Sequence, residues 1–417
     1  MLIKNGYIVS KNRVADLRIE NGRISEIGVL QKRGDEQVLN ANGLHDFYGF
    51  VDAHTHLRDP GLCHKEDIQS GTRAAAAGGY TAVAAMPNTL PPCDDVQAVR
   101  YVLEKKGSVP VLPVACITQG MRGQALTDFG ALKQAGARAL SDDGMPVSDP
   151  LLMKQALRYA KEVGLPLLLH EEDLVLKNGG SAHAGEYARA QGIAGIPASA
   201  EEVPIARDVI LAAEADCPLH ICHVSTARSV AIIAWAKQQG VRVTCETAPH
   251  YFSLCDEILD RADANTKVNP PLRTRADMEA IRRGIADGVI DMIATDHAPH
   301  TPEEKAQEYH KAPFGLIGLE TAFSLSLENL VLRGLINHRR LEELLSFAPR
   351  RLFGLEDSLQ EGACADLTIC DTRTSRIYKK QDILSKSKNS PFVGRTLRGC
   401  VCLTMVKGEI VYHGSVD

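Results

Sequence analysis

Gly49-Phe50-Val51-Asp52-Ala53-His54-Thr55-His56-Leu57-Arg58-Asp59-Pro60-Gly61 runs from a short apolar segment with strand character into a Pro-Gly stop. That is the pattern of a buried strand ending in a loop. Alternation along a strand sends His54 and His56 to one face and Thr55 to the other. Two imidazoles side by side at a strand end can grip one metal ion. A single His-x-His is more often an ordinary polar strand end, so the reading turns on what the rest of the chain brings to the same place.

Working outward, the run at 50–54 is the first of eight short apolar segments. The others are 80–86, 109–116, 137–141, 165–170, 218–223, 241–246 and 290–296. The gaps hold amphipathic helical patterns such as Pro150 to Val163 and Ala200 to Glu214. Eight βα repeats over this length predict an α/β fold, a (β/α)8 TIM barrel rather than an open sheet. The ends of the chain read differently. Ala15 to Ile27 alternates apolar and polar residues around Asn21-Gly22, a hairpin signal. Residues 365–370 and 400–412 repeat the strand-turn-strand character. Both termini therefore predict one small β-sandwich domain, built from 1–48 and 361–417, beside a barrel spanning 49–360.

Composition narrows the function. The 417 residues are 44% hydrophobic and 24% charged, an ordinary globular balance. A net charge of −5 comes without a basic block or stripe, which argues against nucleic acid and anionic membranes as partners. The first residues lack the basic start and long apolar middle of a signal peptide, and no apolar run reaches membrane-spanning length. A cytoplasmic protein acting on a small molecule is expected. The eleven cysteines include no Cys-x-x-Cys pair and read as reduced thiols, mostly buried.

In TIM barrels the chemistry sits at the C-terminal strand ends. Here those ends carry His54 and His56, Asn88, Asp142 and Asp143, His170, His223, and Asp296 with His300. Each alone is unremarkable at a loop boundary, but imidazoles and carboxylates from different strands converging on one barrel axis form the ligand set for zinc and related divalent ions. Such an ion makes hydroxide accessible near neutral pH, so hydrolysis is the expected chemistry.

The segments Val51 to Gly61 and Ala294-Thr295-Asp296-His297-Ala298-Pro299-His300 resemble the two signatures of the dihydroorotases, in the amidohydrolase superfamily. Further matches are Lys65-Glu66-Asp67-Ile68, Met86-Pro87-Asn88-Thr89, Ser141-Asp142-Asp143-Gly144, Ile221 to Thr226, Val268-Asn269-Pro270-Pro271-Leu272-Arg273, Pro313-Phe314-Gly315 and Lys388-Asn389-Ser390-Pro391-Phe392. The resemblance covers nearly the whole chain and is closest to the bacterial type I branch. It implies that His54, His56 and Asp296 hold one zinc, that His170 and His223 hold a second, and that a carboxylate bridges them. Many relatives, hydantoinases included, use a carboxylated lysine as the bridge, but Ala137 to Ser141 contains no lysine. Asp143 is the matching residue, with Asp142 as the second candidate.

For substrate, the resemblance implies a carboxylate pocket of Arg58, Asn88 and His300, with Asn269 and the backbone of Phe314-Gly315 on the ring amides and His56 beside them. The implied activity is reversible hydrolysis of dihydroorotate to N-carbamoyl-aspartate, run toward ring closure in pyrimidine synthesis, with Asp296 as acid and base. Two other readings share these residues: another cyclic amidohydrolase (hydantoinase or allantoinase), or a silent scaffold subunit of aspartate transcarbamoylase. A homo-oligomer, with or without an associated transcarbamoylase, is expected. Glu171-Glu172-Asp173 reads as a solvated acidic loop, and the segment from His300 to Phe314 as a partly mobile flap or a polar connector. His45, His64, His183, His220, His250, His297, His310, His338 and His413 read as structural or surface residues.

Overall fold

The computed structural model describes residues 1–414. Its centre is a sheet of eight parallel strands: Phe50–Thr55, Tyr80–Ala85, Val111–Ala115, Ala139–Leu140, Leu167–Leu169, Leu219–Ile221, Val243–Thr247 and Met292–Ile293. Six fall inside their apolar runs, and Phe50–Thr55 and Val243–Thr247 each extend one residue beyond theirs. The sheet closes where Thr55 bridges His297 and the His56 N–H donates to the His297 carbonyl at 2.8 Å. Closure thus joins the two signature segments side by side.

Helices occupy the gaps because their sequences are built to start and stop there. Pro150–Val163 follows the predicted bounds: Asp149 caps it by accepting from the Leu151 N–H, Pro150 takes the first turn, and Gly164 ends it at φ +69°. Ser199–Ala215 extends the pattern read from Ala200 to Glu214 by one residue at each end. Val83, Leu140, Leu167, Leu219 and Ile221 pack against these helices, while Val51, Ala53, Ala84, Val114, Leu168 and Met292 fill the barrel interior. Apolar layers below leave the polar residues at the upper rim.

The chain termini form a second sheet of eight strands. The Asn21-Gly22 turn has φ of +51° and +75°, and joins Arg13–Glu20 to Arg23–Gly28 as the sequence predicts. Leu367–Ile377, Thr396–Val406 and Glu409–His413 supply the C-terminal half. The link between the halves was not read from sequence. His45–Tyr48 pairs in parallel with Leu2–Ile8 on one side and antiparallel with Leu367–Ile377 on the other. One continuous hydrogen-bonded sheet results, and it curls until its far turns meet: a Cβ added at Gly408 would lie 2.9 Å from the Gly22 Cα. Ile3, Leu17, Ile24, Tyr48, Leu367 and Met405 share the core that it encloses. Nine of the eleven cysteines are buried, and all eleven are free thiols. Among the described residues, no helix is long and apolar enough to cross a membrane.

Candidate metal centre

Six side chains converge at the C-terminal mouth of the barrel: His54, His56, Asp143, His170, His223 and Asp296, all buried. Asp143 is their hub. Its carboxylate lies 3.4 Å from His54 Nε2, 3.5 Å from His56 Nε2, and 3.6 Å from both His170 Nδ1 and His223 Nε2. Asp296 Oδ1 sits 3.1 Å from His56 Nε2 and 3.7 Å from His54 Nε2. On the other flank, His170 Nδ1 and His223 Nε2 approach to 2.9 Å. His54, His56 and Asp296 form one compact ligand set, and His54, Asp143 and His223 form another.

The tautomers are fixed from behind. Glu246 accepts from His54 Nδ1 at 3.0 Å, and Asn88 Oδ1 accepts from His56 Nδ1 at 2.8 Å. Asn88 is oriented for this because its Nδ2 donates to Asp143 Oδ2 at 3.2 Å. Both Nε2 lone pairs consequently face carboxylate oxygens, an arrangement that needs positive charge between them. His54 Nε2, Asp143 Oδ1 and His223 Nδ1 are buried without any hydrogen-bond partner. Burial pulls the His54 ring toward the neutral form, yet Asp143 outweighs it and raises the group well above its ordinary value. Burial likewise favours neutral Asp143 and Asp296, but the surrounding imidazoles hold both below the usual carboxylate range. The donor types, the orphaned atoms and the demand for positive charge all fit a metal ion.

Asp142 points elsewhere. Its carboxylate accepts from the Ile117 and Thr118 N–H groups at 2.8 and 3.1 Å and from the Thr118 hydroxyl, bracing the loop after the third strand. Of the two aspartates left open by sequence, only Asp143 reaches the histidines.

Three site residues hold left-handed backbone: Arg58 at φ +59°, His223 at +35° and Asp296 at +48°. Such conformations persist only where surrounding structure enforces them. The Arg58 guanidinium is buried beside Pro299 O and His300 Nε2, at 3.3 and 3.4 Å. Desolvation lowers it to about 10, and it pairs with no carboxylate among the described residues. A buried cation in that state has the charge and the free donors to receive an anion. His300 donates to the Phe314 carbonyl at 2.8 Å, and burial followed by Arg58, Lys305 and Lys65 drives it down to about 2, so it is neutral. The Asn269 side chain gives its Nδ2 hydrogen to Glu172 at 3.1 Å and leaves Oδ1 buried and unpartnered. Gly315 is already engaged, its N–H donating to Lys267 O at 2.8 Å and its carbonyl accepting from Asn389 Nδ2 at 3.1 Å.

The solvated acidic loop is corrected, and three of the histidines read as structural or surface residues are structural. Glu171 and Glu172 are 3% and 5% exposed rather than solvated, and Glu172 joins His170, Lys177 and Asn269. His220 and His297 are buried partners of the site's frame: His220 bonds Glu246 at 3.3 Å, and His297 meets Glu66 at 3.4 Å. His250 is buried with Nε2 unpartnered. Glu246, at the end of the seventh apolar run, is a further strand-end carboxylate of the site, signalled in sequence by that position alone. The segment from His300 to Phe314 is exposed at 302–303, 306–308 and 310–311, as a polar connector would be, and Lys267 and Lys305 tie down its end at Ala312 O and Pro313 O. A cavity of about 620 Å3 lies away from the histidines, between the terminal sheet and the barrel, and is lined by Tyr378, Cys400, Cys402 and Tyr412.

A closed (β/α)8 barrel with four histidines and two aspartates at its C-terminal mouth defines the class of metal-dependent amidohydrolases. Comparison with solved structures agrees: an L-hydantoinase (dihydropyrimidinase) from Arthrobacter aurescens superposes with a TM-score of 0.90 at 26% identity, covering 100% of this chain and 97% of its own. A dihydropyrimidinase from Brevibacillus agri shares the fold at a TM-score of 0.86 and 23% identity, covering 99% and 95%. In sequence, the model of a Dihydro-orotase-like family matches residues 47–229. Proteins called dihydroorotase from Citrifermentans bemidjiense and Acetivibrio thermocellus are each 45% identical, over 99% of both chains and 100% of both chains respectively. Another from Geotalea daltonii is 46% identical over 99% of both. The chain belongs to the dihydroorotase family.

Proposed function

We propose that this protein is a dihydroorotase, interconverting dihydroorotate and N-carbamoyl-aspartate, and that the histidines at the barrel mouth, with Asp143 and Asp296, would hold two zinc ions. The observation that carries the reading is Asp143 within 3.4–3.6 Å of all four histidines, beside a buried Arg58 without a counter-ion. His54, His56 and Asp296 would hold one ion, and His170 and His223 the other. A divalent ion so held polarises a carbonyl and lowers the pKa of water to about 7.

The chain's own residues do the rest. Arg58 takes the substrate carboxylate, and neutral His300 flanks it without competing for charge. Asn269 Oδ1 accepts from a ring N–H that would otherwise be buried unpaired. Asn88 keeps the His56 ring fixed and borders the carboxylate pocket. In hydrolysis the oxygen of water bonds to the ring carbonyl carbon, Asp296 receives the proton, the C–N bond breaks, and Asp296 returns the proton to the departing nitrogen. Ring closure is the reverse. The barrel, residues 49–360, is the catalytic unit in this proposal, with 1–48 and 361–417 as its supporting domain. Absence of a lysine where hydantoinases carry the carboxylated bridge favours dihydroorotate over hydantoin.

Assay of the purified protein on dihydroorotate, hydantoin and allantoin, alongside Asp296→Ala, tests this. Turnover of dihydroorotate alone, lost in a variant that still binds metal, is expected. Preference for hydantoin or allantoin, or near-normal turnover by Asp296→Ala, contradicts it.

A further inference from the structure

Two lysines are buried beside the site and meet no carboxylate. Lys267 is 2% exposed and Lys305 8% exposed, and neither has an acidic oxygen within 4.0 Å among the described residues. Every hydrogen bond they make goes to a backbone carbonyl. Lys267 Nζ donates to Tyr309 O at 2.8 Å, His310 O at 3.1 Å and Ala312 O at 2.7 Å. Lys305 Nζ donates to Pro313 O at 2.8 Å, Ala264 O at 2.9 Å and Lys267 O at 3.4 Å.

Burying an unpaired ammonium is costly. Desolvation lowers Lys267 to about 8 and Lys305 to about 7. A loop that only needed to be covered could lie on apolar side chains. Instead four backbone carbonyls within five residues, those of Tyr309, His310, Ala312 and Pro313, are tied to two fixed points, and the next two residues are Phe314 and Gly315. The tie continues forward without slack. Lys267 Nζ lies 4.5 Å from the centre of the Phe314 ring, with Lys177 Nζ at 4.9 Å. Phe314 O accepts from His300, and the Gly315 N–H returns to Lys267 O. Gly315, at φ +132°, presses so closely on the strand-eight loop that a Cβ would lie 2.6 Å from that of Ala298. Asn389 locks the far side, accepting from the His300 N–H and donating to Ala298 O and Gly315 O, each at 3.1 Å.

We propose that Lys267 and Lys305 are positioning residues whose buried ammonium groups fix the carbonyls of Tyr309, His310, Ala312 and Pro313, and through them the Phe314–Gly315 peptide and His300, in the conformation that receives substrate. The inference rests on the proposed dihydroorotase site for its kinetic consequence, and on geometry alone for its structural one. Lys267→Met and Lys305→Met remove the donors while keeping a side chain of similar length. Because the clamp positions His300 beside the substrate carboxylate and none of its groups reacts, KM for dihydroorotate should rise about tenfold while kcat per bound metal changes less than about threefold. Amide hydrogen exchange over 306–315 should accelerate at least about tenfold, with global melting still cooperative.

A purely structural role predicts the opposite split: unchanged KM, with kcat falling in proportion to the folded fraction. That result, or exchange over 306–315 at the wild-type rate, overturns the proposal. If the Met variants do not fold, Lys267→Gln and Lys305→Gln, which retain a neutral donor, are read by the same two criteria. If wild-type protein does not turn over dihydroorotate, the functional reading has failed, and the exchange measurement decides the clamp by itself.

Discussion

Replacing Glu246 with glutamine isolates the group that aims His54 at the metal. Glu246 is fully buried, with Oε1 3.0 Å from His54 Nδ1 and Oε2 3.3 Å from His220 Nε2. Hydrogen bonds from these rings hold the Glu246 carboxylate at about 2 despite burial, so it carries full charge at neutral pH. Glu246→Gln preserves the shape but supplies one acceptor and one donor in place of two charged acceptors. A charge-assisted hydrogen bond is worth about 1 kcal/mol more than a neutral one, so the two contacts together lose about 1.5–3 kcal/mol. His54 then no longer holds its Nδ1 proton as firmly, and Nε2 is a weaker ligand. Metal affinity should fall about 10- to 100-fold. Competition with a calibrated chelator, using metal-stripped wild-type and variant protein of matched circular dichroism, measures it. Affinity within about twofold of wild type would refute the claim that Glu246 orients the first ligand.

Arg58→Met removes the unpaired guanidinium, and steady-state kinetics should show KM for dihydroorotate raised about 100-fold with a smaller change in kcat; an unchanged KM removes Arg58 from the carboxylate pocket. Asp143→Asn should lower the metal bound per chain in elemental analysis, whereas Asp142→Asn should leave it within about 20% of wild type while loosening the Ile117–Thr118 loop; equal losses would mean that the hub is misassigned. Asp46, buried with neither carboxylate oxygen paired, is pushed up to about 7 by desolvation. The folded chain therefore keeps a proton there that the unfolded chain releases above about pH 4, and stability falls as pH rises from about 4 through about 7. Asp46→Asn should flatten that decline in melting temperature across the same window, and identical slopes for both proteins would contradict it.

How far the sequence carried the reading depended on periodicity. The eight barrel strands were legible because each lies in a short, mainly apolar run set off by helical stretches, and Asn21-Gly22 announced its hairpin through turn chemistry. His45–Tyr48 escaped because its first two residues, His45 and Asp46, are polar, although Asp46 is wholly buried. The far half of Leu367–Ile377 escaped because its exposed Thr, Arg and Ser residues carry no apolar alternation. In the site, the histidines and aspartates announced themselves by residue type at strand ends. Their supports did not, since nothing local distinguishes a carboxylate such as Glu172 that will be buried against His170 from one that faces water. Lys267 and Lys305 are the extreme case: sequence alone assigns such residues to the surface, and only the closed fold shows the carbonyls that draw them inside.

The most direct test of the central claim follows metal and turnover on one sample. Protein stripped with a chelator should lose dihydroorotate turnover, and restoring zinc should return activity in proportion to metal bound, reaching its maximum near two ions per chain. Full turnover by metal-free protein, or none by fully loaded protein, would contradict the account.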